Sequence, residues 1–363
     1  MKVLFFAGRD LAHPLAGGSE VLVDRLATGL IERGHQVSLL CGGPVDARPY
    51  QVVDTGGTYD QYLRAPLRAV ARHRGADVVV DVVNGVPFFS PLWHRGAAVC
   101  LINHIHLEEW RLWFPRPMAA VGRSVQTRLV PALYRRCLFM AVSESTAAGL
   151  RRLGVPDERI RVVHNGVDSC DRPAVKAAEP LFVALGRLVP QKRFELLLEM
   201  WEHVRPVTGG RLVIAGDGPE RDRLRAVAGA GVSLPGHVPE DHKHRLLDAA
   251  WLLVHPSMIE GWGLVIMEAA AHGTPTLGFD VPGVRDSVVD GRSGQLVRSK
   301  AELARAWIAM AGDHKLRHDL GQGARLRAGR FSWSNTVDGF LAVVDDARAQ
   351  RGHASQRLVE DLH

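Results

Sequence analysis

Two acids and two cations in this sequence stand at spacings that suit an anionic, hydroxyl-rich ligand. In Pro256-Ser257-Met258-Ile259-Glu260-Gly261-Trp262-Gly263-Leu264-Val265-Ile266-Met267-Glu268 an apolar strand ends, a glycine-bearing loop follows, and a helix opens near Leu264 and runs to Ala271. The first N–H groups of a helix lack intrahelical acceptors, so those of Gly261, Trp262, Gly263 and Leu264 make an anion site. This helix is apolar on every face, which predicts burial, and a buried Glu268 needs partners. An ionised carboxylate only accepts hydrogen bonds, and a vicinal diol such as a ribose offers two donors. A Glu268 that reaches solvent or a local arginine is the ordinary alternative. Glu260 lies in the loop ahead of the helix, where it can reach a group beside the bound anion.

The second stretch is Gly186-Arg187-Leu188-Val189-Pro190-Gln191-Lys192-Arg193, which follows a strand and opens a helix at Phe194. Cations at a helix start oppose its dipole by about 0.3–1 kcal/mol each, and a bound diphosphate reverses that sign. Arg187 and Lys192 are therefore candidate phosphate ligands, set against a plain solvated basic loop. Near the amino terminus, Gly17 and Gly18 let a substrate approach the backbone, and Ser19 is expected to cap the helix behind them.

Asn103-His104-Ile105-His106 closes a strand. Its histidines alternate sides if extended, so only one is expected to face a ligand. Two histidines invite zinc, but no third ligand of suitable spacing is apparent, nor an Asp-x-Asp pair for a divalent cation. Arginine, lysine and helix amides are then expected to stabilise a leaving group without metal. Beyond the histidines come Trp110 and Trp113 with Arg111, Arg116, Arg123, Arg128, Arg135 and Arg136, expected at the side of the cleft where a second substrate would enter. They suit a soluble acceptor, core packing, or peripheral contact with an anionic membrane.

Short apolar runs alternate with amphipathic helical patterns almost from end to end, which predicts α/β architecture with parallel, doubly wound sheets. Strands are expected at Val3–Ala7, Val37–Cys41, Val78–Val83, Ala98–Asn103, Phe139–Val142 and Arg161–Val163. After a break, they resume at Leu181–Leu185, Arg211–Ala215, near Val232, Leu252–His255 and Thr276–Phe279. The aperiodic, proline-bearing stretch Asp171–Pro180 reads as a linker. Residues 1–172 are expected to form one Rossmann-like domain and 173–335 a second, with a helix of about 336–363 packing back on the first. Two such units in tandem are expected to face a central cleft.

The chain has 363 residues, which favours two domains. With 45 basic and 39 acidic residues its net charge is +6, suited to an anionic ligand. The arginines are scattered and no reading helix is evident, which argues against a nucleic-acid partner. Cys41, Cys100, Cys137 and Cys170 form neither a disulfide framework nor a paired metal motif. The apolar start is short for a signal peptide, and no run is of membrane-spanning length. A cytoplasmic protein is expected.

At these residues the sequence resembles the retaining, group-one glycosyltransferases of family 4 type, which have the GT-B fold. The resemblance covers nearly the whole chain. It rests on Gly17-Gly18, the histidine near 104, Val142-Ser143, His164-Asn165-Gly166-Val167-Asp168, Gly186-Arg187 with Lys192, Gly216-Asp217-Gly218-Pro219, and Glu260 with Glu268. It implies a nucleoside-diphosphate sugar as donor, a hydroxyl acceptor, no cofactor and no metal. Arg187 and Lys192 would hold the diphosphate and Glu268 the ribose. Glu260 and the Gly261–Leu264 amides would hold sugar and phosphate, and the base would rest near His237 and Val238. His104 rather than His106 would contact the sugar, with retention through an ion-pair-like transition state. Two alternatives remain: a nicotinamide-dependent dehydrogenase, since Gly216-Asp217-Gly218 begins a dinucleotide fingerprint but lacks its third glycine, and a non-catalytic sugar-nucleotide-binding protein.

Overall fold

A computed structural model describes residues 1–73, 75–170 and 174–360, with side chains as far as Gly352. Asp171, Arg172 and Pro173 of the expected linker, and residues 361–363 of the expected terminal helix, lie outside the described residues. The chain forms two compact units. One is Met1–Asn165 with the terminal segment from Trp333, and the other is Gly166–Ser332.

The first unit holds seven strands: β1 (Lys2–Phe6), β2 (Gln36–Cys41), β3 (Gln51–Asp54), β4 (Val78–Val83), β5 (Ala97–Ile102), β6 (Leu138–Ala141) and β7 (Ile160–Val162). They form one parallel sheet in the order β3-β2-β1-β4-β5-β6-β7. β4, β5 and β6 are buried throughout, so they read in sequence as continuous apolar runs rather than alternating ones. The exception is Asp81 in β4, fully buried, which accepts the Ser90 N–H at 3.1 Å and the Tyr134 hydroxyl. The edge strand β3 is four residues long and carries no pattern that marks it.

The helix after β1 spans Gly18–Glu32 and is capped by Gly17, not Ser19. The Gly17 N–H donates to the Glu20 carboxylate at 2.8 Å, and Ser19 lies one residue inside the helix. Its hydroxyl is needed elsewhere. It accepts from the Asn84 and Asn103 amides at 3.1 and 2.9 Å, tying the helix to the loops after β4 and β5. The helix Trp333–Glu360 packs in this unit: Phe340 stacks on Phe5 at 5.6 Å, and Asp338 pairs with Arg33 at 2.7 Å.

The second unit holds β8 (Leu181–Leu185), β9 (Arg211–Ala215), β10 (Val232–Gly236), β11 (Leu252–His255), β12 (Thr276–Phe279) and β13 (Gly294–Val297). These six parallel strands run in the order β10-β9-β8-β11-β12-β13. Phe182, Trp201 and Trp307 fill one face of this sheet, with ring centroids 5.2–5.7 Å apart. Each such aromatic pair adds about 0.5–1.5 kcal/mol beyond its buried area. Both sheets reverse strand order once, between β1 and β4 in the first and between β8 and β11 in the second. Among the described residues no helix is long and apolar enough to cross a membrane.

Candidate functional site

A doubly wound sheet opens a crevice at the carboxyl ends of the strands on either side of its order reversal. In the second unit those ends belong to β8 and β11, and the two expected ligand loops leave from them. They meet at a charged cluster. The Lys192 ammonium lies against the Glu260 carboxylate, and the same carboxylate oxygen accepts from His255 Nε2 at 2.8 Å. Burial alone would raise the Glu260 pKa, but Lys192 and then His255 outweigh it and hold the carboxyl below the usual range. Burial lowers the His255 pKa, which keeps this imidazole neutral despite its acidic neighbour. Glu260 is therefore an ionised, enclosed carboxylate rather than a surface loop acid.

Backbone contacts hold these loops in place. The Met258 N–H donates to the Gln191 carbonyl and the Glu260 N–H to the Pro282 carbonyl, both at 3.0 Å. Arg193, which sequence reasoning left without a role, donates to the Pro256 and Ser257 carbonyls at 2.6 and 3.1 Å and lies 4.4 Å over the Phe279 ring. It is a brace for the Glu260 loop. Two glycines allow the close approach. At Gly216 a Cβ would stand 1.9 Å from the Gly186 carbonyl oxygen, and at Gly283 one would stand 2.2 Å from the Glu260 carbonyl oxygen. Both have positive φ, at 143° and 81°, where side chains are strained. Gly216-Asp217-Gly218 thus packs the β9 loop onto the β8 loop, and the Leu188 N–H donates to the Asp217 carbonyl at 2.8 Å.

The helix Leu264–Ala271 begins where the sequence places it, with Gly263 as its cap. It is not buried on every face: Leu264, Val265 and Glu268 are half-buried. Glu268 is 24% exposed and pairs with Lys243 at 2.9 Å, a partner supplied by the neighbouring helix Glu240–Ala249. The Trp262 side chain is buried and meets the Phe331 ring edge-on at 4.9 Å, so only its backbone can serve a ligand. Val238 likewise belongs to the core, beside an exposed His237. Gly261 and Arg187 are half-buried in the two ligand loops.

In the first unit, Gly17 and Gly18 lie at the β1 side of the order reversal, with Gly18 exposed. His104 and His106 do not alternate. Both turn toward Glu109: His104 Nε2 lies 2.7 Å from one carboxylate oxygen and His106 Nδ1 3.3 Å from the other, with the two rings 3.8 Å apart. Burial would raise the pKa of Glu109, but His104 and then His106 hold it below the ordinary range. Glu109 thus stands as a third donor side chain beside the two histidines, a neighbour that the sequence reading did not place there. The signal was the His-x-His-x-x-Glu spacing, which an extended reading of the segment conceals. Trp110 is a packing residue, with its ring against Phe114 at 5.3 Å and close to Gly122, where a Cβ would stand 2.4 Å away. Trp113 is 45% exposed.

The sequence profile of the family described as Glycosyl transferases group 1 matches residues 171–327, and that of Glycosyltransferase Family 4 matches residues 16–169. A D-inositol 3-phosphate glycosyltransferase of Geodermatophilus obscurus is 37% identical over 234 residues, 57% of this chain and 51% of the relative. One of Streptomyces bingchenggensis is 33% identical over 303 residues, 74% of this chain and 64% of the relative. The matched chain thus spans between half and two thirds of these relatives' length. Among solved structures, Anabaena HepE in complex with UDP-glucose aligns with a TM-score of 0.77 at 18% identity, covering 95% of this chain and all of that one. The sucrose-phosphate synthase of Thermosynechococcus elongatus gives 0.76 at 19% identity, covering 99% of each chain. These likenesses establish the fold, and the two profiles leave the dehydrogenase reading without support. The chain belongs to the group 1, family 4 glycosyltransferases, built on the GT-B fold.

Proposed function

We propose that this protein is a retaining glycosyltransferase that moves a sugar from a nucleoside diphosphate to a hydroxyl acceptor, with no divalent cation on the diphosphate. The observation that carries this reading is the meeting of Lys192 and Glu260, from the loops after β8 and β11, at the order reversal of the second sheet. A diphosphate brought to this point gains a cation from Lys192, with Arg187 in the same loop, and N–H donors from the start of the helix at Leu264. Glu260, released from part of its contact with Lys192, is an ionised acceptor for sugar hydroxyls. Glu268 accepts from ribose hydroxyls in place of Lys243, and the backbone of His237 and Val238 lines the base.

In the reaction the bond from the anomeric carbon to the diphosphate oxygen breaks, and the acceptor oxygen bonds to the same face of the sugar. The acceptor proton passes to the departing phosphate oxygen. No protein nucleophile is required. Lys192, Arg187 and the helix amides stabilise the charge that gathers on the leaving group. His104 contacts the sugar near its reacting carbon, and Glu109 fixes the ring's orientation. HepE has been solved with UDP-glucose, and the curated relatives are named for D-inositol 3-phosphate, so a UDP-sugar and an inositol phosphate are the first donor and acceptor to offer. Calorimetry of UDP, GDP, ADP and dTDP, followed by turnover of the matching sugars, tests the reading. Absence of binding by all four nucleotides would refute it.

A further inference from the structure

We propose that His104, His106 and Glu109 form a binding site for one transition-metal ion of the Zn2+ type, distinct from any ion on the donor diphosphate. The three donor atoms lie within 4.8 Å of one another. Two imidazoles and one carboxylate are a donor set that holds zinc with a position left open. Around a tetrahedral ion with bonds of about 2.0–2.2 Å, ligand atoms stand roughly 3.3–3.5 Å apart. Here His104 Nε2 lies 2.7 Å from one Glu109 oxygen and His106 Nδ1 3.3 Å from the other, so an entering ion widens the His104 side by roughly 0.6–0.8 Å.

Charge favours the same occupant. The buried Glu109 carboxylate balances one positive charge. A divalent ion lets both rings bind as neutral donors beside the carboxylate. The ligands lie on a short segment pinned at both ends. On one side the Thr146 hydroxyl donates to the Asn103 carbonyl at 2.8 Å, and on the other the Trp113 N–H donates to the Glu109 carbonyl at 3.2 Å. Both histidines are about one fifth exposed, which leaves a path for the ion and a water ligand. Nitrogen-rich sets of this kind select zinc, nickel, copper and cobalt over magnesium and calcium. Occupancy would take His104 Nε2 away from the sugar, so the ion acts as an inhibitor.

A second cluster, Cys170, Asp248 and His272 in the other unit, could compete for the same ions and is separated by its sulfur. The experiment uses the full-length, untagged chain stripped with chelator and titrated with Co2+ by absorption and with Zn2+ by calorimetry. One ion should bind per chain with no sulfur-to-cobalt charge-transfer band. Its affinity should fall by about 10–100-fold in His106→Ala and in Glu109→Gln and stay unchanged in Cys170→Ser. Wild-type protein that binds no ion, a thiolate band that vanishes in Cys170→Ser, or affinity unchanged from the wild type in both ligand variants would each overturn the site. The wild-type cobalt spectrum decides the point even where one variant does not fold.

Discussion

Lys192 and Glu260, 68 positions apart in the chain, form an ion pair whose carboxylate is shared with His255. Each arrives on a different loop, so the pair reports that both loops are in place before any ligand is bound.

Lys192→Met should therefore weaken the fold as well as the donor site. It leaves a buried carboxylate facing only His255, at a cost of about 1–3 kcal/mol, and a cycle with Glu260→Gln should show coupling of similar size. Nucleoside diphosphate affinity should drop by about tenfold or more, the worth of a charged hydrogen bond. Denaturant titration and calorimetry measure the two effects, and an uncoupled cycle would contradict the pair.

The same carboxyl predicts the acid limb of stability. Glu260 and Glu109 are both held below their unfolded pKa, which lies near 4.3. The unfolded chain then binds more protons in the window below that value, so their contribution is complete above about pH 4.3 and is lost as pH falls further. Thermal midpoints from pH 7 to pH 3 should fall steeply in the wild type, and less steeply relative to their own plateau in Glu260→Gln.

Glu268→Gln should separate binding from stability in the opposite way. Its half-exposed pair with Lys243 contributes no more than about 1 kcal/mol to the fold, but loss of the charge that accepts ribose hydroxyls should weaken nucleotide binding by several-fold. Unchanged affinity with intact folding would remove Glu268 from the donor site.

For chemistry, His104→Ala should lower kcat more than it raises KM, by about 100-fold or more, the scale of losing one group that stabilises the transition state, and His106→Ala should do less. Glu109→Gln should fall between them, because the carboxylate holds the His104 ring in place at 2.7 Å. Chelator in excess should leave turnover intact, and activity restored only by Mg2+ or Mn2+ would refute the metal-free leaving-group mechanism.

Leu112, Trp113, Met118 and Val121 are exposed on a segment that also carries Arg111, Arg116 and Arg123. If the acceptor is lipid-linked, the chain should sediment with anionic but not neutral vesicles, in a salt-sensitive way, and Trp113→Ala should weaken it. No sedimentation at low salt would favour a soluble acceptor.

Six elements, Val78–Val83, Leu181–Leu185, Arg211–Ala215, Leu252–His255, Leu264–Ala271 and Thr276–Phe279, have the same bounds in sequence and structure. A strand covered on both faces must be apolar throughout and must end at a turn, so composition alone marks it. Two parallel sheets, the loops that carry Glu260 and Lys192, and the helix that carries Glu268 were legible for that reason. The partners of those side chains were not. Ser19 looks like a cap and is instead an acceptor for two asparagines from the loops after β4 and β5. Glu268 looks buried and is paired with a lysine from the preceding helix. His104 and His106 look opposed along a strand, yet both face Glu109 because the segment leaves the sheet after Ile102. Periodicity records which face of an element meets the core, whereas the choice of a charged partner depends on which loops the strand order brings together, and only the folded sheet decides that.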